Sequence, residues 1–229
     1  CVKIADGNIT IKSEGDGIKS NNIEDTSKGY IYICGGKINI TSTTDAIQAE
    51  TTLTIEKGEI NLKTGGGSEN SSKTSGGKDN PQWGRWGQED SSTTEEDTAS
   101  AKGLKAGGDI KISNATITAD TSDDSIHSNS NVTIESGTFN LKSGDDGIHA
   151  DTSTVINNGN IVIEKSYEGI EGSNVTINGG TIELTASDDG INSAGGSDSS
   201  SMGGRMGQNS FTEKSDIYIK TTGGPPKRQ

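Results

Sequence analysis

Long hydrophobic runs are missing from this chain, and so are most of the residues that fill a conventional core. Only 26% of its 229 residues are hydrophobic and 3% are aromatic. A globule with so little apolar matter would sit close to the disordered class, so a folded form must need only a thin core. No signal peptide or membrane span is visible. Cysteine is scarce. Cys1 and Cys34 fall in neighbouring repeats but about three residues out of register, roughly 11 Å apart by strand spacing and beyond disulfide reach. Basic residues are short as well, 20 Lys and Arg against 33 Asp and Glu, for a net charge of −13. No nucleic-acid partner is expected of such a chain. A 3.6-residue apolar period is absent, which argues against helices.

What the chain does have is a beat of about 22 residues. Leu104, Ile126, Ile148 and Ile170 close Asp-Gly-Ile-like triplets at intervals of 22, and Ile191 follows after 21. Ile18 and Ile47 are earlier members. Gly36, Gly58, Ala115, Gly137, Gly159 and Gly180 keep the same time. The 57-residue steps from Ile47 to Leu104 and from Gly58 to Ala115 are one beat plus a 35-residue insertion. Two independent markers with one period identify a repeated structural unit.

One clean unit is VTIESGTFNLKSGDDGIHADTS, from Val132 to Ser153. It holds three short alternating runs separated by a Gly turn and an Asp-Asp-Gly turn, and alternation every second residue is the strand signature. A unit this small cannot bury its apolar face alone, but stacked units cover one another. The expectation is an all-β chain: a right-handed, single-stranded parallel β-helix of about seven coils forming one domain over 1–229. The handedness follows the rule for parallel crossovers. Inward pairs such as Ile31/Ile33, Leu53/Ile55, Ile38/Ile40 and Phe139/Leu141 supply the core, with Ala49, Ala106, Ser128 and Ala150 in a small slot. The unit that starts at Thr154 is the one expected to carry a one-residue deletion, and an eighth coil begins at Ile217. Both ends read as those of a fragment of a longer solenoid. Loop insertions fall at 65–100 and 195–215, both rich in Gly and Ser. The first holds Trp83 and Trp86. These either form a sugar-stacking platform or, as the matching Met202 and Met206 suggest, pin the loops to the solenoid wall.

The turn before each inward Ile carries the chemistry. In coil order, the residue two before it is Asp16, Asp45, Lys102, Asp124, Asp146, Glu168 and Asp189, so six of seven are carboxylates. Asp123, Asp145 and Asp188 double the charge one step earlier. Stacked at coil spacing, two such charges repel by about 3–4 kcal/mol at an effective dielectric near 20. A hard cation relieves this, and oxygen-only ligands suit Ca2+ better than zinc or iron. Ca2+ is therefore expected at Asp123, Asp124, Asp145 and Asp146, with a second position around Glu168, Asp188 and Asp189. The competing reading is that Asp-Gly is simply a good turn dipeptide, which explains the residue type but not the doubled acids.

The residue after the inward Ile forms a second column: Lys19, Gln48, Lys105, His127, His149, Glu171 and Asn192. Alternation points it outward, beside the acidic file. His127 and His149 would stack as neutral imidazoles and, with Lys105 and Glu171, offer hydroxyls or uronates a polar strip. The alternative is a plain exposed face. Lys102, the one base inside the acidic file, is either an internal counter-ion or, like Lys105, a candidate base for β-elimination next to a uronate.

Several strings carry a resemblance: AKGLKAGGDIKIS, SDDSIHSNSNVTIESGTFNLKSGDDGIHADT, KSYEGIEGSNVTINGGTIELTASDDGINSAGG and SSMGGRMGQNSF. Together they resemble a bacterial family of carbohydrate-binding domain-containing β-helix proteins over nearly the whole chain. The resemblance implies a secreted or cell-surface protein that binds plant cell-wall polysaccharide, both cellulose-like and polygalacturonate-like (pectin). It also implies a right-handed β-helix similar to family 9 pectate lyases with bound Ca2+, which supports Asp123, Asp124, Asp145 and Asp146 as ligands. A Ca2+-dependent polysaccharide lyase is the alternative function. The chain departs from the pattern at Ala46 and Ser125, which replace the turn glycine, and in its Pro-Pro-Lys-Arg-Gln end.

Overall fold

Apolar and polar residues alternate here in runs too short for a helix, each bounded by Gly or Asp turns, and these runs become strands. The structure, a computed structural model, describes residues 1–71 and 100–193 and the strand Asp216–Ile219. Among the described residues the chain is all-β, with helical geometry confined to the single 3-10 turns Thr26–Lys28 and Ser68–Asn70. Cys1 and Cys34 are separate thiols. The remainder of the first loop and the loop from 195, with Trp83, Trp86, Met202 and Met206, lie outside the described residues.

Each coil contributes three strands, and every pairing is parallel to the equivalent strand of the next coil. On the first face Ile31 pairs with Leu53, Leu53 with Ile110, and Ile110 with Val132. The second face is a seven-stranded sheet running from Asn8–Ser13 to Thr181–Leu184. The third begins with Ile18–Ser20 and Ile47–Ala49. Two long strands, Ile148–Ile156 and Ile170–Ile177, run through from the third face to the first, so these two faces join as one 13-stranded sheet. The strand Asp216–Ile219 lies against Asn174–Ile177 and begins an eighth coil, as the repeat predicts, starting one residue before Ile217.

Register follows the 22-residue beat. The large insertion does not disturb it, since Ile47 still pairs with Leu104 and Gly58 with Ala115. The missing residue falls where Ala150 faces Gly172 and Ser153 faces Asn174, at the turn that ends the unit begun at Thr154. The core is a thin column of Ile, Leu and Val with Phe139 as its aromatic member, and its middle coils are fully buried. Each such side chain contributes about 1.5–3 kcal/mol of burial. Val2, Ile4, Ile9 and Ile11 in the first described coil are only partly covered.

Glycine is needed at one corner because the chain turns left-handed there: φ is 134° at Gly58, 136° at Gly137 and 139° at Gly159. The coil that has Ala115 in this column moves the left-handed residue one step back to Asn114, at φ 48°, a conformation Asn tolerates better than most side chains.

Candidate functional site

The acidic turns lie directly on one another. The backbone N–H of Ala46 donates to Lys102 O, that of Gly103 to Asp124 O, that of Ser125 to Asp146 O, and that of Gly147 to Glu168 O. Close approach explains the turn glycine: a Cβ on Gly147 would come within 2.6 Å of Gly169 O. The carboxylates have a structural task that spacing alone did not suggest. Four of them reach along the stack, each accepting the N–H of its counterpart in the following coil. Asp16 Oδ1 takes Asp45 N–H at 3.1 Å, Asp45 Oδ1 takes Lys102 N–H at 2.8 Å, and Asp124 Oδ1 takes Asp146 N–H at 2.9 Å. Asp146 Oδ1 takes Glu168 N–H at 3.2 Å. An amide in place of the carboxylate would make a weaker, uncharged version of this bond.

The centre of the column is a buried charge network. Lys102 Nζ stands 2.6 Å from Asp124 Oδ2 and 2.9 Å from Asp123 Oδ1. Burial alone would lower the Lys102 pKa, but the two carboxylates outweigh it and hold the ammonium above its usual range. Of the two roles open to Lys102, the internal counter-ion is the one the geometry fits, because an ammonium held this firmly is a poor proton acceptor. Asp124 is fully buried and also receives His127 Nδ1 at 2.8 Å. Burial pushes its carboxyl up, yet Lys102 and then His127 keep it well below the usual range.

The outward, solvent-facing strip of neutral imidazoles is corrected. His127 and His149 do stack, with centroids 4.8 Å apart and planes 17° from parallel. They are, however, only 5% and 4% exposed. Alternation turns them away from the apolar core, but the next turn closes over them: Asn129 Oδ1 meets His127 Nε2 at 3.0 Å and Asp151 Oδ1 meets His149 Nε2 at 3.1 Å. His149 is also ringed by carboxylates. Its Nδ1 lies 2.8 Å from Glu171 Oε2 and 3.2 Å from Asp146 Oδ2. Burial opposes the charge, but Asp146, Asp151 and Glu171 hold the ring protonated well above its usual range. Asp146 is pushed up to about 6, first by burial and then by the charges of Asp124 and Glu171. Beside the two histidines, Lys105 and Glu171 do reach solvent, Lys105 at 25% with its Nζ 3.3 Å from Asp45 Oδ2 and Glu171 at 15%.

Two groups bring three ligand atoms within 4.8 Å of one another: Asp123, Asp124 and Asp145, and Asp146, His149 and Glu171. The first is an all-oxygen set, the donor chemistry a hard cation takes. Both oxygens of Asp124 and both of Asp123 already accept hydrogen bonds from the protein, so an ion here would share them with those donors. Glu168, Asp188 and Asp189 do not converge in such a group among the described residues. Glu168 instead receives Asn192 Nδ2 at 2.9 and 3.0 Å.

A cleft of about 360 Å³ lies just before this turn column. Its floor crosses three coils at Ser143–Gly144, Ser166–Tyr167 and 185–187, and the 3-10 turn at the root of the first insertion forms its wall. Ser68 N–H donates to Asp120 Oδ1 at 2.8 Å and Lys165 Nζ donates to Ser68 O at 2.9 Å, which fastens that wall. Spacing places Tyr167 in the turn column, but the cleft has no sequence signal, because its wall comes from a loop.

No helix among the described residues is long and apolar enough to cross a membrane. No curated protein and no solved structure matches the chain. A family model described as carbohydrate-binding domain-containing protein matches residues 1–147 and, in an overlapping second match, 130–210. With both matches running through the same stacked coils and charged turns, the chain belongs to the carbohydrate-binding domain-containing protein family.

Proposed function

We propose that the protein is a right-handed parallel β-helix that binds plant cell-wall polysaccharide outside the cell, without cleaving it. The observation that carries this reading is the extent of the family match, which spans the coil stack itself. Recognition is therefore assigned to the solenoid surface. A repeating polymer suits such a surface, since outward side chains recur at the inter-strand spacing of about 4.8 Å. Lys105 and Glu171 are the column residues placed to meet a ligand. His149, covered by the turns, holds Glu171 through its Nδ1, and Asp45 and Ser100 hold Lys105.

Ca2+ is the finer part of the proposal. Carboxylates outnumber the buried cations in the central turns, where Lys102 and His149 face Asp123, Asp124, Asp145, Asp146, Asp151 and Glu171. We place the ion among the Asp123, Asp124 and Asp145 oxygens, with Asp146 on the same turn. It would offset the remaining negative charge and bridge to acidic sugars that a protein of net charge −13 otherwise repels. Lyase chemistry through Lys102 is disfavoured because its ammonium is pinned between two carboxylates.

Sedimentation with insoluble cellulose and with polygalacturonate gel, each with Ca2+ or with EDTA, tests this. Binding to both is expected, with EDTA weakening the polygalacturonate arm more. Failure to bind any insoluble glycan would overturn the reading, and equal loss in both arms would remove the bridging ion. Steady release of unsaturated uronate, abolished by Lys102→Ala, would replace binding with catalysis.

A further inference from the structure

The cleft beside the charged turns has the make-up of a sugar subsite, and three separate features converge on it. The first is Tyr167. Its equivalents in other coils are Gly15, Thr44, Ala101, Asp123, Asp145 and Asp188, so an aromatic ring stands where the repeat otherwise uses small or acidic residues. The second is a break in register just ahead of it. Leu141 pairs with Ile163, but Lys142 pairs with Lys165, so one coil carries an extra residue at this point. Such bulges re-aim the side chains that follow. The third is the wall, where the turn Ser68–Asn70 is held over the coils by Asp120 and Lys165.

The chemistry of the lining is amphipathic. The Tyr167 ring, Ala186 and the bare backbone of Gly144 give an apolar floor, which suits the C–H face of a pyranose ring. Glu69 and Glu164 at the rim, ion-paired to Lys165 and Lys142, offer carboxylate oxygens that a hydroxyl can donate to. The volume is at the lower end of small-molecule sites, and the floor spans three coils, about 10 Å by strand spacing, room for a short stretch of sugar chain. Charge selects the class of sugar. The lining has two carboxylates and one ammonium, and Lys165 Nζ is already 3.0 Å from Glu69 Oε1. A uronate gains no free cation here.

We propose that this cleft holds a sugar ring of a neutral polysaccharide, with Tyr167 as the stacking platform and Glu69 and Glu164 as acceptors for its hydroxyls. This rests on the polysaccharide-binding reading and gives it a second, Ca2+-independent contact point.

Calorimetry of the full chain with cellohexaose, and with hexagalacturonate as the charged comparison, tests the proposal. Tyr167→Ala is expected to weaken cellohexaose binding about tenfold, while Tyr167→Phe stays within about threefold. Ser187→Trp, at an exposed rim position, fills the cleft and blocks binding. Melting curves confirm that all three variants fold. If wild type, Y167A and S187W bind cellohexaose alike, the cleft is not the site, although the broader reading stands. The same holds if wild type sediments with insoluble glycan but ignores cellohexaose. Tyr167-dependent preference for hexagalacturonate would overturn the neutral-sugar assignment. A wild type that binds neither oligosaccharide nor insoluble glycan would remove the cleft and the broader reading together.

Discussion

The first described coil and the middle of the stack use one device in two settings. Asp16 pairs with Lys19, three residues on, at 2.7 Å, and Asp124 pairs with His127, also three residues on, at 2.8 Å. Both aspartates also accept the N–H of the coil that follows. Yet the Lys19 side chain is 42% exposed, while those of His127 and Asp124 are 6% and 1% exposed, and Lys102, the second partner of Asp124, is 2% exposed. Water screens the first pair and leaves the second in low dielectric, where a partner removed is a charge stranded. The motif is the same, and the environment decides what it is worth.

Lys102→Met breaks the contrast most severely. It leaves Asp123 and Asp124 without their ammonium and is expected to cost about 3–5 kcal/mol, read as a lowered urea midpoint. Adding Asp124→Asn to that variant should cost less than the two single changes summed, because the stranded charge is gone. Steric closeness should behave differently and ignore position. A Cβ on Gly17 meets Ala46 O at 2.6 Å, as one on Gly147 meets Gly169 O at 2.6 Å. Gly17→Ala and Gly147→Ala are each expected to cost about 1–3 kcal/mol. A Gly17→Ala variant that is neutral would show that the first described coil yields where the middle does not.

Asp120 is the intermediate case, with 36% of its side chain exposed. Burial would raise its pKa, but the hydrogen bonds from Ser68 and the ion pair with Lys63 hold it below the usual value. A folded-state pKa lowered in this way stabilises above the unfolded value of about 3.9, and the gain is lost as pH falls through the folded value. Asp120→Asn should therefore lower the melting temperature at neutral pH, converge on wild type in acid, and so flatten the acid limb of a melting-temperature profile. The smallest effect belongs to Lys19→Ala, under about 1 kcal/mol and shrinking further with added salt.

Much of this molecule is legible in the repeat. Inward Ile, Leu and Val positions, the small slot at Ala49 and Ala106, and the stacked acidic turns all follow from a period of about 22 with alternation inside it. Three things do not. Alternation tells which side of a strand His127 faces, but not that Asn129 covers it. Spacing stacks Asp124 on Asp146 but does not say that a side chain on one would grip the backbone of the other. The cleft depends on Ser68 meeting Asp120, 52 residues on, across a turn that no repeat encodes.

The neck of the first insertion has a wider consequence. The Thr64 hydroxyl bonds to Ala101 O, and the coils on either side keep their pairing. The inserted segment therefore leaves and re-enters at one point, and lengthening it adds closure entropy only as the logarithm of its length. The scaffold thus works as a socket, in which whole new peptides could be spliced between two coils by evolution or by an engineer while the architecture beneath stays put.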